Sequence, residues 1–134
     1  MDWKLEVVVV PVSDVDRAKQ FYSEQLGFAV DLDTRINEMR VVQLTPPGSA
    51  CSVTIGSGIA EMEPGSLQGL QLVVSDIDAA RAELVERDVE ASNIQHVDDQ
   101  GAWVDGRGGP WNSFFFFSDP DGNRWVVQEK PATQ

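Results

Sequence analysis

The sequence predicts an α+β fold: two βαβββ modules whose strands form a curved, barrel-like mixed sheet with a concave ligand site. Three observations predict it. An apolar strand-like run enters a Ser-Asp-aliphatic-Asp segment twice, at Val12-Ser13-Asp14-Val15-Asp16 and Val74-Ser75-Asp76-Ile77-Asp78. A Pro/Gly turn between two apolar runs also occurs twice, at Pro46-Pro47-Gly48 and Asp119-Pro120-Asp121-Gly122. The two repeats come in the same order with similar spacing, which marks an internal duplication. One module alone leaves a sheet face wet, so the two are expected to form one domain over residues 1–134, as modules 1–60 and 67–130.

Leu5 to Val12 is apolar and valine-rich, and reads as a buried strand. Ser13-Asp14 follows and offers a helix N-cap, with Asp16 adding negative charge to the first turn. Val15, Ala18, Phe21, Tyr22 and Leu26 share one helical face. Gly27 is placed to end that helix in a left-handed conformation. Phe28 to Asp33, Arg40 to Leu44 and Cys51 to Ile55 read as strands, and Gly56 to Gly65 as a linker. In the second module Leu70 to Val74 is a strand. Ile77, Ala80, Leu84 and Val85 make the helix face, and Asp88 stands where Gly27 stood. Val89 to Ile94 reads as a strand and Gln95 to Ser113 as a long loop. Phe114 to Phe117 and Arg124 to Glu129 form the last hairpin. Lys130 to Gln134 is a polar tail expected to fray.

Composition narrows the function. The 134 residues carry a formal net charge of −12, which repels phosphate backbones and argues against a nucleic-acid partner. No apolar run is long enough to cross a bilayer. The start shows no basic-then-apolar pattern, so no secretory signal is expected and the expected location is the cytoplasm. The single cysteine, Cys51, excludes an internal disulfide.

Val12-Ser13-Asp14-Val15-Asp16-Arg17-Ala18, then Phe21-Tyr22 and Leu26-Gly27-Phe28, resembles the opening module of the vicinal oxygen chelate superfamily. Phe117-Ser118-Asp119-Pro120-Asp121-Gly122-Asn123 resembles its closing hairpin. That superfamily holds glyoxalases, extradiol dioxygenases, fosfomycin-resistance enzymes and bleomycin-binding proteins. The resemblance implies paired modules around a cavity and, commonly, a homodimer. In its enzymes, His, Glu or Gln side chains on the first and last strands hold a divalent metal that stabilises an enolate or oxyanion.

The resemblance places those ligand positions at Val7 and Gly69 on the first strands. On the last strands it places them at Val126 and, by repeat of the turns, Ser52. None of these is a competent metal ligand at neutral pH. Strand parity puts Glu129 and Glu6 on the faces opposite Val126 and Val7. No metal, no other cofactor and no catalytic residue is therefore expected. The alternative is an enzyme of the glyoxalase or dioxygenase type with displaced ligands and a divalent metal ion.

Candidate ligand contacts cluster late in the chain. Trp103 and Trp111 are joined by a flexible loop carrying Arg107. Alternation sends Phe114 and Phe116 to one face of the sheet, Phe115 and Phe117 to the other. One pair is expected under a helix and the other to line the concavity, where it must meet a ligand, a loop or another subunit. Arg107 and Arg40 are candidates to pair with an acid, and Asp98, Asp99 and Asp105 to face an amine. His96, the only histidine, is a candidate contact or base. The resulting expectation is a binder of a small aromatic or apolar molecule. A second alternative is a domain that only assembles a dimer.

Overall fold

A computed structural model describes residues 1–132, so Thr133 and Gln134, the end of the predicted tail, lie outside the described residues. The chain divides into two compact units. The first is Met1–Leu67 together with the turn Asp119–Asn123; the second is Gln68–Ser118 with Arg124 onward.

The first unit runs β1 (Val7–Val9), α1 (Val15–Gln20), a π-helical turn (Phe21–Gln25), β2 (Ala29–Ile36), β3 (Met39–Thr45) and β4 (Ser52–Ser57). Its strands lie in the order β1-β4-β3-β2, with β1 parallel to β4 and the other pairs antiparallel. Asp14 caps α1 by accepting from the Arg17 amide at 3.1 Å. The helix then widens: the Leu26 amide donates to the Phe21 carbonyl five residues back, at 3.0 Å. Gly27 ends it at φ +78°, as expected. Val42, Leu44, Val53 and Ile55 of the sheet and Ala18, Phe21 and Tyr22 of the helix are all buried.

The turn Asp119–Asn123 is knitted into this unit. Asn123 is fully buried and donates to the Pro11 carbonyl and to Asp119 Oδ2, both at 2.7 Å, and accepts from the Leu67 amide at 3.0 Å. The Tyr22 hydroxyl donates to the same Asp119 oxygen at 2.7 Å. The Ser13 hydroxyl donates to Asp121 at 2.5 Å. Gly65 is required here: its backbone has φ +81°, and a Cβ would stand 2.0 Å from the Asp121 carbonyl oxygen.

The second unit runs β5 (Gln68–Val74), α2 (Ile77–Glu86), β6 (Gln95–Val97), β7 (Trp103–Asp105), β8 (Phe114–Ser118) and β9 (Arg124–Glu129). Its order, β5-β9-β8-β6-β7, repeats that of the first sheet and adds β7 at the edge. β5 is parallel to β9, and the other pairs are antiparallel. Asp76 caps α2 as Asp14 caps α1, accepting from the Ala79 amide at 3.0 Å. Asp88 takes the left-handed conformation expected at its position, with φ +65°. The duplication thus yields an α+β fold with two mixed sheets of four and five strands and no closed barrel among the described residues.

Several boundaries differ from expectation. The first strand shortens to Val7–Val9, leaving Leu5 exposed, and Pro11 has no N–H to extend the ladder. Val89–Ile94 is irregular, and the strand begins only at Gln95. The expected loop from Gln95 to Ser113 contains two three-residue strands, β6 and β7. His96 and Trp103 therefore sit on strands rather than in a loop. None of the described helices is long and apolar enough to cross a membrane.

Candidate functional site

The last two strands of the second unit sort their side chains by parity. Phe115, Phe117, Trp125 and Val127 point to the helix side and are buried. Phe114, Phe116, Val126 and Gln128 point to the opposite, far face and stay half-buried, as the alternation predicts. Register pairs Phe116 with Val126, Phe114 with Gln128, and Gln71 of β5 with Val126. On the other flank it pairs Gln95 with Phe114 and Asp105, and Val97 with Trp103. Trp103 thereby meets Phe114 and Phe116 edge-on, with centroids 5.3 and 5.4 Å away, while half its surface remains exposed. The result is an aromatic platform open to solvent.

Its polar fringe is specific. Gln71 Nε2 donates to Gln128 Oε1 at 2.6 Å, and Gln128 Nε2 donates to the Trp111 carbonyl at 2.8 Å. Trp111 has φ +63°, a conformation costly for a bulky residue. It is held by that bond and by its neighbour Asn112, which donates to the Val97 carbonyl and accepts from the Val97 amide at 2.8 and 2.9 Å. Arg124 stacks its guanidinium 4.5 Å from the centre of the Phe116 ring. Gln95 Nε2 donates to Asp105 at 3.3 Å.

The other candidates lie elsewhere. Arg107 pairs with Asp78 at 2.7 Å and with Glu129, and these carboxylates hold its proton more firmly than usual, Glu129 first. Glu129 also accepts from the Ile77 amide at the start of α2, so it faces the helix, as parity requires. His96 alternates away from Trp103, and its Nδ1 lies 2.9 Å from the Gly106 carbonyl oxygen. Asp98 accepts from the Gln100 and Ala102 amides at 2.9 and 3.0 Å, and these bonds, that of Ala102 first, hold its carboxyl below the ordinary range. Arg40 belongs to the first unit, where it binds Asp16 at 2.7 Å and Asp33 at 3.0 and 3.1 Å. Of the candidates, the structure brings together Trp103, Phe114 and Phe116, and ties the Trp111 backbone to them. Sequence reasoning missed Arg124, Gln71 and Gln128. The signal was available for two of them: residues 124, 126 and 128 share a parity with the noted Val126.

A family model described as the Glyoxalase/Bleomycin resistance protein/Dioxygenase superfamily matches residues 4–127. The chain belongs to this superfamily. It is similar to TnmS3, an antibiotic binding protein from a Streptomyces species, with 33% identity, 96% and 97% of the two chains covered, and TM-score 0.79. A second protein from that species, described as a glyoxalase/bleomycin resistance protein, is 34% identical over 93% and 99% of the chains, with TM-score 0.75. A superfamily member from Sphaerobacter thermophilus is 30% identical over 96% and 98%, with TM-score 0.76. No curated protein matches the chain.

Register allows the superfamily's metal-holding positions to be tested in each unit. Val7 lies directly opposite Ser52 on β4. In the second sheet Gln71, two residues beyond Gly69, lies opposite Val126, as Val9 lies opposite Thr54 in the first. Register thus makes Thr54, not Ser52, the counterpart of Val126; the two turns are followed by unequal lengths before their strands pair. Val7, Gly69, Val126, Ser52 and Thr54 offer no imidazole, carboxylate or carboxamide, so these positions do not fit a divalent ion. No three His, Cys, Asp or Glu side chains are grouped to hold a metal among the described residues.

Proposed function

We propose that this protein binds a flat, aromatic or apolar small molecule of the antibiotic type on the platform of Trp103, Phe114 and Phe116, and that it does so without a metal or other cofactor. The observation that carries the reading is the platform itself. Trp103 touches both phenylalanine rings and is itself half exposed, so the group presents a wet apolar surface that is unfavourable until something covers it. The likeness to an antibiotic binding protein over nearly the whole chain supports the ligand class. Sequestration needs burial and a few oriented polar groups, which Gln71, Gln128 and the held Trp111 supply. The reading assigns no catalytic residue. It carries with it a homodimer, as the family resemblance implies, and a cytoplasmic location.

A thermal-shift screen against planar aromatic compounds tests it. A ligand at a hundred times its dissociation constant stabilises by about 2.7 kcal/mol, which raises the melting temperature by several degrees. Trp103→Ala is expected to abolish the rise while leaving the unliganded protein folded, because Trp103 sits on an edge strand. A rise that survives Trp103→Ala removes the platform as the site. Stoichiometric metal, lost with chelator together with ligand binding, overturns the metal-free reading.

A further inference from the structure

We propose that the molecule taken by this platform is an aromatic acid whose anionic oxygens are read by Arg124; this rests on the binding reading above. Arg124 opens β9 and shares the parity of Val126 and Gln128, so it stands on the aromatic face. It is exposed, and among the described residues no carboxylate pairs with it. Several arginines of this acidic chain are used otherwise: Arg17, Arg40, Arg87 and Arg107 pair with carboxylates, and Arg81 donates to the Ser92 and Ala91 carbonyls. Contact with the Phe116 ring holds the guanidinium over the aromatic face without using its N–H groups as hydrogen-bond donors, which leaves them for a ligand. A carboxylate or phenolate beside the guanidinium meets two parallel donors while its own ring packs on the exposed part of Trp103.

The one carboxylate noted on the same face does not cancel this charge. Asp105 lies on β7, three strand spacings from β9, which is about 14 Å away and beyond the screening length at physiological salt. It is also held by Gln95. The same screening confines the repulsion from the net charge of −12, so the local guanidinium decides which ligand charge is preferred.

Three probes of matched shape test the assignment on the full chain: 2-naphthoate, the neutral 2-naphthalenemethanol, and 2-naphthylmethylammonium. Affinities are measured by calorimetry for the parent protein, Arg124→Gln and Arg124→Lys. The expected result is that the acid binds about tenfold tighter than the alcohol. Arg124→Gln is expected to erase that ratio; Arg124→Lys is expected to keep part of it, lacking the planar fork. The proposal is overturned if the alcohol or the ammonium binds the parent as tightly as the acid, or if the acid keeps its advantage in Arg124→Gln. Binding of the alcohol that depends on Trp103, with no advantage for the acid, removes Arg124 alone. Failure of all three probes on the parent protein removes the platform as well.

Discussion

In the first module Asp16, two residues past the helix cap, is gripped by Arg40 from strand β3; in the second its repeat Asp78 is gripped by Arg107 from the loop after β7. The acids occupy equivalent places, while the arginines come from unrelated ones. The first arginine is buried among strands and also binds Asp33, a carboxylate that Lys19 shares; the second is half exposed and also binds Glu129. The first module completes its sheet with strands of eight and seven residues, β2 and β3. The second replaces that long pair with short strands and a loop, and there Trp103 and Trp111 are held. A duplicated scaffold has kept one copy as framework and diverted the other toward an aromatic surface.

The sharpest contrast is between the two hairpin turns. The turn at Pro46–Ser49 is solvent-exposed apart from Pro46, and the Ser49 hydroxyl bonds only the Cys51 backbone. The turn at Asp119–Asn123 carries a fully buried asparagine with three partners. Asn123→Ala leaves the Leu67 amide without its partner, takes one of two donors from the Pro11 carbonyl and one from Asp119, and is expected to cost about 3 kcal/mol. Ser49→Ala is expected to stay within about 0.5 kcal/mol. Chemical denaturation of both variants checks the difference, and equal effects would mean that the second turn is no more a keystone than the first.

The arginine pair sharpens the comparison next. Arg40→Met removes hydrogen bonds to two carboxylates, with an expected loss of about 1–2 kcal/mol; Arg107→Met, at an exposed site, is expected to lose a smaller amount. The pH dependence separates them further. Arg40 first, then Lys19, holds the Asp33 carboxyl well below its ordinary range, and Arg40 lowers Asp16 as well. Depressed folded-state values mean that this stability is present above the unfolded carboxylate range near pH 4 and is lost as pH falls below it. Arg40→Met should therefore flatten the acid limb of the melting curve, and the gap between parent and variant should close toward pH 2. A gap that persists unchanged at pH 2 would assign Arg40's contribution to packing instead.

Much of this was legible in the sequence, for a physical reason. Caps, left-handed helix ends and Pro/Gly turns are local, and each leaves a residue-type signature: Ser13-Asp14 and Ser75-Asp76, Gly27 and Asp88, Pro46–Gly48 and Asp119–Gly122. Strand parity is equally local, so the split of Phe114 and Phe116 from Phe115 and Phe117, and the turn of Glu129 away from the face of Val126, followed from counting. What escaped depended on pairing across distance. The three-residue strands β6 and β7 have too short a period to stand out from a glycine-rich loop, so His96 and Trp103 were placed off the sheet. Arg40 and Arg107 read as free cations because their partners lie many residues away: Asp16 for one, Asp78 and Glu129 for the other. The stacking of Arg124 on Phe116 belongs to the same class.

The smallest effect concerns the two helix ends. Gly27 and Asp88 both take positive φ, at +78° and +65°, and in both the chain turns back onto the helix: the Phe28 amide reaches the Tyr22 carbonyl and the Val89 amide the Leu84 carbonyl, each at 2.9 Å. The geometry is shared, but the residue is free of steric cost only in the first. Gly27→Asp is expected to destabilise by about 1 kcal/mol, the penalty for a side chain in this region reduced by aspartate's tolerance of it. Asp88→Gly relieves the same strain but loses whatever the Asp88 side chain touches and loosens the unfolded chain, so its gain is expected to be a few tenths of a kcal/mol. Melting temperatures of the two variants measure this directly. If Asp88→Gly costs as much as Gly27→Asp, the side chain at position 88 is bonded strongly enough to outweigh the backbone, and the second helix end is not a poorer copy of the first but a different solution.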